Sequence, residues 1–70
     1  MNINIIKDEV EKYLGKNVIL KQNIGRNKYE THKGVIDKIY PYLFTLKTEN
    51  EIKSFSYADL LIKNIIIKIK

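Results

Sequence analysis

The chain has no cysteine and a single histidine, His32. No disulfide framework can form, and a structural zinc site, which takes its four ligands mainly from these two residue types, is not supplied. No apolar run approaches the ~20 residues needed to cross a bilayer. The first residues carry acids where a signal peptide would carry bases, so a cytoplasmic protein with no membrane partner is expected. Proline occurs once, at Pro41, and the three glycines, Gly15, Gly25 and Gly34, stand too far apart to form a phosphate-cradling loop. Linkers, internal repeats and low-complexity tracts are likewise missing.

What is present sets further limits. Seventy residues make one domain, 1–70. A chain of this size buries only roughly 60–65% of the surface its unfolded form exposes, so it supports one compact core of modest stability unless it oligomerises. A hydrophobic content of 44% with 30% charged residues is that of a folded protein rather than a disordered one.

The chain is organised around Gly34 to Leu46, a β-rich run of Val, Ile, Tyr, Phe and Thr broken at Pro41. Pro41 cannot donate a ladder hydrogen bond and biases Tyr40 toward an extended conformation, which predicts a corner between two paired strands. Ahead of it, Ile3, Ile6, Val10, Tyr13 and Leu14 recur at helical spacing, capped by Asn2 or Asn4 and ended by Gly15 in a left-handed conformation. A first strand is expected over 17–24, with Val18, Leu20 and Ile24 inward. A turn at Gly25-Arg26-Asn27-Lys28 follows, then a long strand over 29–40 whose Gly34 marks a bulge. Strands over 43–48 and 52–57 flank the polar turn Glu49-Asn50-Glu51. Ser56-x-x-Asp59 has the spacing of a capping box opening one helical turn. The last strand, 65–69, alternates Ile65, Ile67 and Ile69 with Lys68 and Lys70, and Ile66 is expected to face the N-terminal helix.

One helix, four strands, a helical turn and a fifth strand predict a mainly β fold, a small five-stranded SH3-like or Sm-like barrel. An OB-fold competes less well, because it would more often insert a helix where only Glu49-Asn50-Glu51 lies.

The net charge is +5, and its distribution is uneven. Residues 16–38 carry five lysines and Arg26 against Glu30 and Asp37, and the tail adds Lys63, Lys68 and Lys70. If the first hairpin and the last strand lie side by side, they form one positive surface, for which nucleic acid is the commonest partner.

Gly15-Lys16, Leu20-Lys21, Asn23, Gly25-Arg26, Lys28, Gly34, Tyr40-Pro41, Phe44 and the run Ser54-Phe55-Ser56-Tyr57-Ala58-Asp59-Leu60-Leu61 resemble the Veg family of small proteins from Gram-positive bacteria. The resemblance covers roughly residues 13–67, in the family's order and at compatible spacing. Ile24 stands where the family usually has a small residue, and Ile62 where it commonly has threonine. The resemblance implies a cytoplasmic protein classed with regulation of transcription. It also implies an association with biofilm formation, through opposition to a repressor, and with sporulation or germination. It assigns no catalytic residue.

The residues themselves argue against an enzyme. His32 has no nucleophile beside it in any evident constellation and is expected at the surface. Glu49 and Glu51 suit a solvated turn, and Asp59 suits a cap better than a metal; no metal or cofactor is expected. Binding is the better reading. Lys21, Arg26, Lys28 and Lys33 on or beside the first hairpin can reach phosphates, with Tyr29, Tyr40 and Tyr42 as candidate stacking platforms. An Sm-like barrel would instead put RNA contacts at Tyr40-Pro41-Tyr42 and within 57–64. The competing hypothesis is a protein-interaction module that binds and antagonises a transcriptional regulator. Isoleucine-rich edges point to a homo-oligomer while Lys68 and Lys70 oppose one, and the sequence leaves these open.

Overall fold

A computed structural model describes residues 3–69. In chain order the elements are α1 (Ile3–Glu11), β1 (Asn17–Gly25), β2 (Lys28–Ile39), β3 (Leu43–Lys47), β4 (Ile52–Ser56), α2 (Tyr57–Leu61) and β5 (Ile65–Ile69). All strand pairings are antiparallel, and they build one five-stranded sheet in the order β4-β3-β2-β1-β5. The mainly β class, the leading helix and the helical turn before the last strand are as the sequence predicts.

The barrel, however, is not closed. Closure would require β4 to pair with β5, and these strands form the two margins of the sheet. The connection between them is helical: α2 touches both β4 and β5, and α1 packs on α2, so helices cover the open side.

The core follows the period-two alternation of the strands. Val18 and Leu20 on β1, Ile36 on β2, Phe44 and Leu46 on β3, Phe55 on β4 and Ile65 on β5 are buried with Val10 of α1 and Tyr57 of α2. Each such side chain contributes roughly 1.5–3 kcal/mol on burial. Phe44 links the aromatic part, its ring centroid 5.9 Å from that of Phe55 and 5.7 Å from that of Tyr57. Ile3, Ile6, Tyr13, Leu60 and Ile67 pack against this cluster from its rim.

Several local expectations are corrected. The helix stops at Glu11 rather than Leu14, because the chain beyond it is drawn onto β2: Leu14 bridges Ile36, and the Gly15 N–H donates to the Ile36 carbonyl at 2.9 Å. Leu14 is accordingly exposed. Gly15 does adopt the left-handed conformation, with φ +79°. Asn4 lies inside α1 and is not its cap; Asn2 and Lys70 lie outside the described residues. Ile24 is exposed, since the hairpin runs past the core and its register shifts between Asn23 and Gly25. Gly34 is not a bulge: Val18 pairs with Gly34 in unbroken register, and the bulge falls at Asp37, between Ile36 and Lys38. Gly34 instead permits close packing, for a Cβ there would lie 2.3 Å from the Lys47 carbonyl oxygen. Ile67, not Ile66, lies on the helix side. The strands predicted over 43–48 and 52–57 end one residue earlier, at Lys47 and Ser56.

The Ser56 cap forms as expected, its Oγ accepting from the Asp59 N–H at 3.2 Å. No helix among the described residues is long and apolar enough to cross a membrane.

Candidate nucleic-acid interface

Antiparallel register puts directly opposed residues on the same face of a sheet. β1 pairs with both β2 and β5, so three strands contribute rows to one face. Lys33, Ile19 and Lys68 form one row, and Thr31, Lys21 and Ile66 the next. Tyr29 opposes Asn23 in the row beyond. This is the face turned away from the core, whose alternate residues Val18 and Leu20 are buried.

Lys21, Lys33 and Lys68 therefore share a face on which the residues named carry no acid; Glu30 projects to the other side with His32. The ion pairs of the described residues, Lys12 with Glu9, Lys53 with Glu51 and His32 beside Glu30, involve none of these three cations. Lys21 Nζ lies 4.5 Å from the Tyr29 ring centroid, a cation–π contact that holds the ammonium beside a ring still 54% exposed. Long-range pairing of β1 with β5 thus brings the basic first hairpin and the basic last strand together without barrel closure.

The remaining predicted residues lie apart. Arg26 is at the tip of the β1–β2 hairpin beside Asn27, whose φ of 56° makes the turn, and Lys28 opens β2 opposite Gly25. Both are at the same end as Tyr29. Tyr40 and Tyr42 lie at the opposite end of β2, and Tyr42 is 76% exposed. This corner is tied to α2: the Tyr57 N–H donates to the Tyr42 carbonyl at 3.3 Å and the Tyr57 hydroxyl to the Tyr40 carbonyl at 2.8 Å. Tyr40 and Tyr42 are therefore a second, separate candidate surface rather than stacking partners of Lys21 and Lys33. Pairing with Ile19 puts Lys68 on the basic face, as expected if the first hairpin and the last strand lie side by side, although Lys68 is not among the individual contact residues named from the sequence.

His32 corrects a further expectation. It is 8% exposed, because it occupies a core-facing position of β2. Its Nε2 lies 3.2 Å from Gln22 Oε1 and its ring centroid 5.7 Å from that of Phe55. Beside it runs a cleft of about 1010 Å³ between the first half of β2 and the turn Thr48–Glu51. Ile36 directs its backbone groups toward Gly15 and Lys16, so alternation turns those of Thr31 and Lys33 toward the cleft, beyond the end of β3. Among the described residues no three metal-ligating side chains cluster.

Residues 1–68 match the family model described as "Biofilm formation stimulator VEG". No curated protein sequence matches the chain.

Proposed function

The chain belongs to the Veg family of biofilm formation stimulators, a membership that fits a regulatory role, and from it we propose that the protein acts by binding nucleic acid through the β2-β1-β5 face. The observation that carries this reading is the placement of Lys21, Lys33 and Lys68 on one face, outside the ion pairs of the described residues and beside an exposed tyrosine. Lysines on a sheet face make point contacts with phosphates and carry little sequence information; among the described residues no helix is rich in Arg, Asn and Gln for reading base edges. Tyr29 adds a stacking platform for an unpaired base, worth roughly 1–3 kcal/mol in single-strand binders. The activity is binding rather than catalysis, and the one histidine is engaged with Gln22 and Phe55.

The test is binding of unstructured RNA and DNA oligonucleotides across a salt series. Binding is expected to weaken steeply with salt. The triple variant Lys21→Ala, Lys33→Ala, Lys68→Ala should flatten the log–log slope by about 2, the counterion release expected of three single-strand phosphate contacts. Salt-independent binding, or a variant with the wild-type slope, would sink the proposal.

A second reading is supported by the cleft beside β2. Its backbone edge at Thr31 and Lys33 can accept an extended segment of a transcriptional repressor as an added strand. A repressor retained on the immobilised protein after nuclease treatment supports this alternative; loss of every partner on nuclease treatment argues against it.

A further inference from the structure

Resting on the nucleic-acid reading of the basic face, we propose that this face takes single-stranded rather than duplex nucleic acid. Phosphates follow a diagonal of lysines that Lys47 completes, and bases lie on a parallel diagonal of apolar side chains. The face continues onto β3, because Val35 pairs with Lys47 on one side and with Asn17 on the other. Lys47 is exposed, as are Lys33 and Lys21, and it stands outside the ion pairs of the described residues.

The two diagonals follow from the register. Lys33 lies two residues before Val35, the partner of Lys47, and two after Thr31, the partner of Lys21. Lys47, Lys33 and Lys21 are thus successive diagonal neighbours on β3, β2 and β1, with steps of about 7–8 Å. Shifted by one strand, Val35, Ile19 and Ile66 form a second line on β2, β1 and β5 by the same rule. Val35 and Ile19 are half-buried and Ile66 is 44% exposed, so a polymer bound along the lysines also covers these three. The acids at the β3 end stand off both lines. Asp37 is the bulge residue, and Glu49 and Glu51 lie in the turn beyond Lys47, where their charge stops a polyanion from running further.

A patch of lysine alone would suit any polyanion. A line of cations beside a line of apolar groups suits one that carries charge along one edge and flat rings along the other. A single strand meets that condition, since its unstacked bases can turn toward Ile19 and Ile66 while its phosphates follow the lysines. A duplex keeps its bases stacked inside and would cover the isoleucines with sugar and phosphate, without apolar contact in return. Nor can this face reach duplex base edges. Its five strands span about 19 Å at the usual spacing, and a major groove is about 12 Å wide.

Fluorescence anisotropy tests this by comparing an unstructured oligonucleotide with the same sequence annealed to its complement. The single strand is expected to bind about tenfold more tightly or better. Lys47→Ala should weaken single-strand binding by about threefold or more and lower the log–log salt slope by about 0.7, while Lys47→Arg retains both. Lys12→Ala, which removes the same charge just beyond α1, should change neither. Ile66→Thr keeps a β-branched side chain and should weaken the single strand by about threefold or more while leaving duplex binding unchanged. Should Ile66→Thr fail to fold by circular dichroism, Val35→Thr, close in shape, tests the same line. Duplex bound as tightly as the single strand, a Lys47→Ala variant with the wild-type slope, or a folded threonine variant with wild-type single-strand affinity would each overturn the proposal and leave the broader reading of the basic face standing. Poly-glutamate bound as tightly as the single strand would show that charge alone is read, and would overturn it too. Failure of both nucleic acids to bind would remove the underlying reading as well.

Discussion

The hydroxyl of Tyr57 donates to the Tyr40 carbonyl oxygen at 2.8 Å, joining the first residue of α2 to the chain just after β2. Tyr57 is fully buried, and its ring stacks near Phe44. It therefore couples the helical cover on the open side of the sheet to the proline corner.

Burial raises the Tyr57 pKa above the ordinary value of 10.0, with the charge of Glu11 acting in the same direction. A raised pKa means that the folded state holds this proton more tightly than the unfolded state does. The resulting stabilisation is complete below the unfolded pKa and is lost as pH rises above about 10 through the folded value. Thermal melts should show falling stability across that alkaline window. Tyr57→Phe should cost about 1 kcal/mol at neutral pH, from the lost hydrogen bond, and should flatten the alkaline decline. An unchanged alkaline profile in the variant would assign the decline to other groups.

Gly34 and Gly25 should respond oppositely to alanine. A Cβ at Gly34 meets the Lys47 carbonyl oxygen at 2.3 Å and the Leu46 side chain at 3.3 Å, so backbone must move where β2 and β3 join. Gly34→Ala is expected to destabilise by about 1–3 kcal/mol, as overpacked sites do. At Gly25 nothing lies within 4 Å of the added carbon, so Gly25→Ala should be tolerated. Chemical denaturation of the two variants measures the difference, and equal losses would contradict the close-approach account.

Two aromatic surfaces at opposite ends of β2 give a direct comparison. If polyanion contacts follow the lysine rows, Tyr29→Ala should weaken oligonucleotide binding by the ~1–3 kcal/mol of one stacked base, while Tyr42→Ala should leave it unchanged. The reverse pattern would move the interface to the Tyr40–Tyr42 corner. Titrations at a single ionic strength suffice, because neither substitution alters charge.

Much of this arrangement is local in origin and so was readable along the chain. Gly15 takes the left-handed conformation that glycine adopts readily, Ser56 caps α2 because its hydroxyl is three residues from a free donor, and Phe44, Leu46 and Phe55 turn inward because side chains alternate along a strand. The misreadings have a common cause. Leu14 matched a helical spacing but is drawn out of the helix by Ile36, and Ile24 matched a strand alternation that extends past the end of the core. His32 looked like a surface residue because its neighbours are charged, although its position on β2 turns it toward Phe55.

By itself, the sequence determined the class of each segment, the turn chemistry, the net positive charge and the family. Those properties depend on interactions within a few residues or on composition. Only the tertiary structure decided that β4 and β5 stay apart beneath a helical cover, and that Lys68 comes to lie beside Ile19 in the row of Lys33. Which strands become neighbours, and which are left as margins, is settled by how the whole core packs, and no local pattern encodes that.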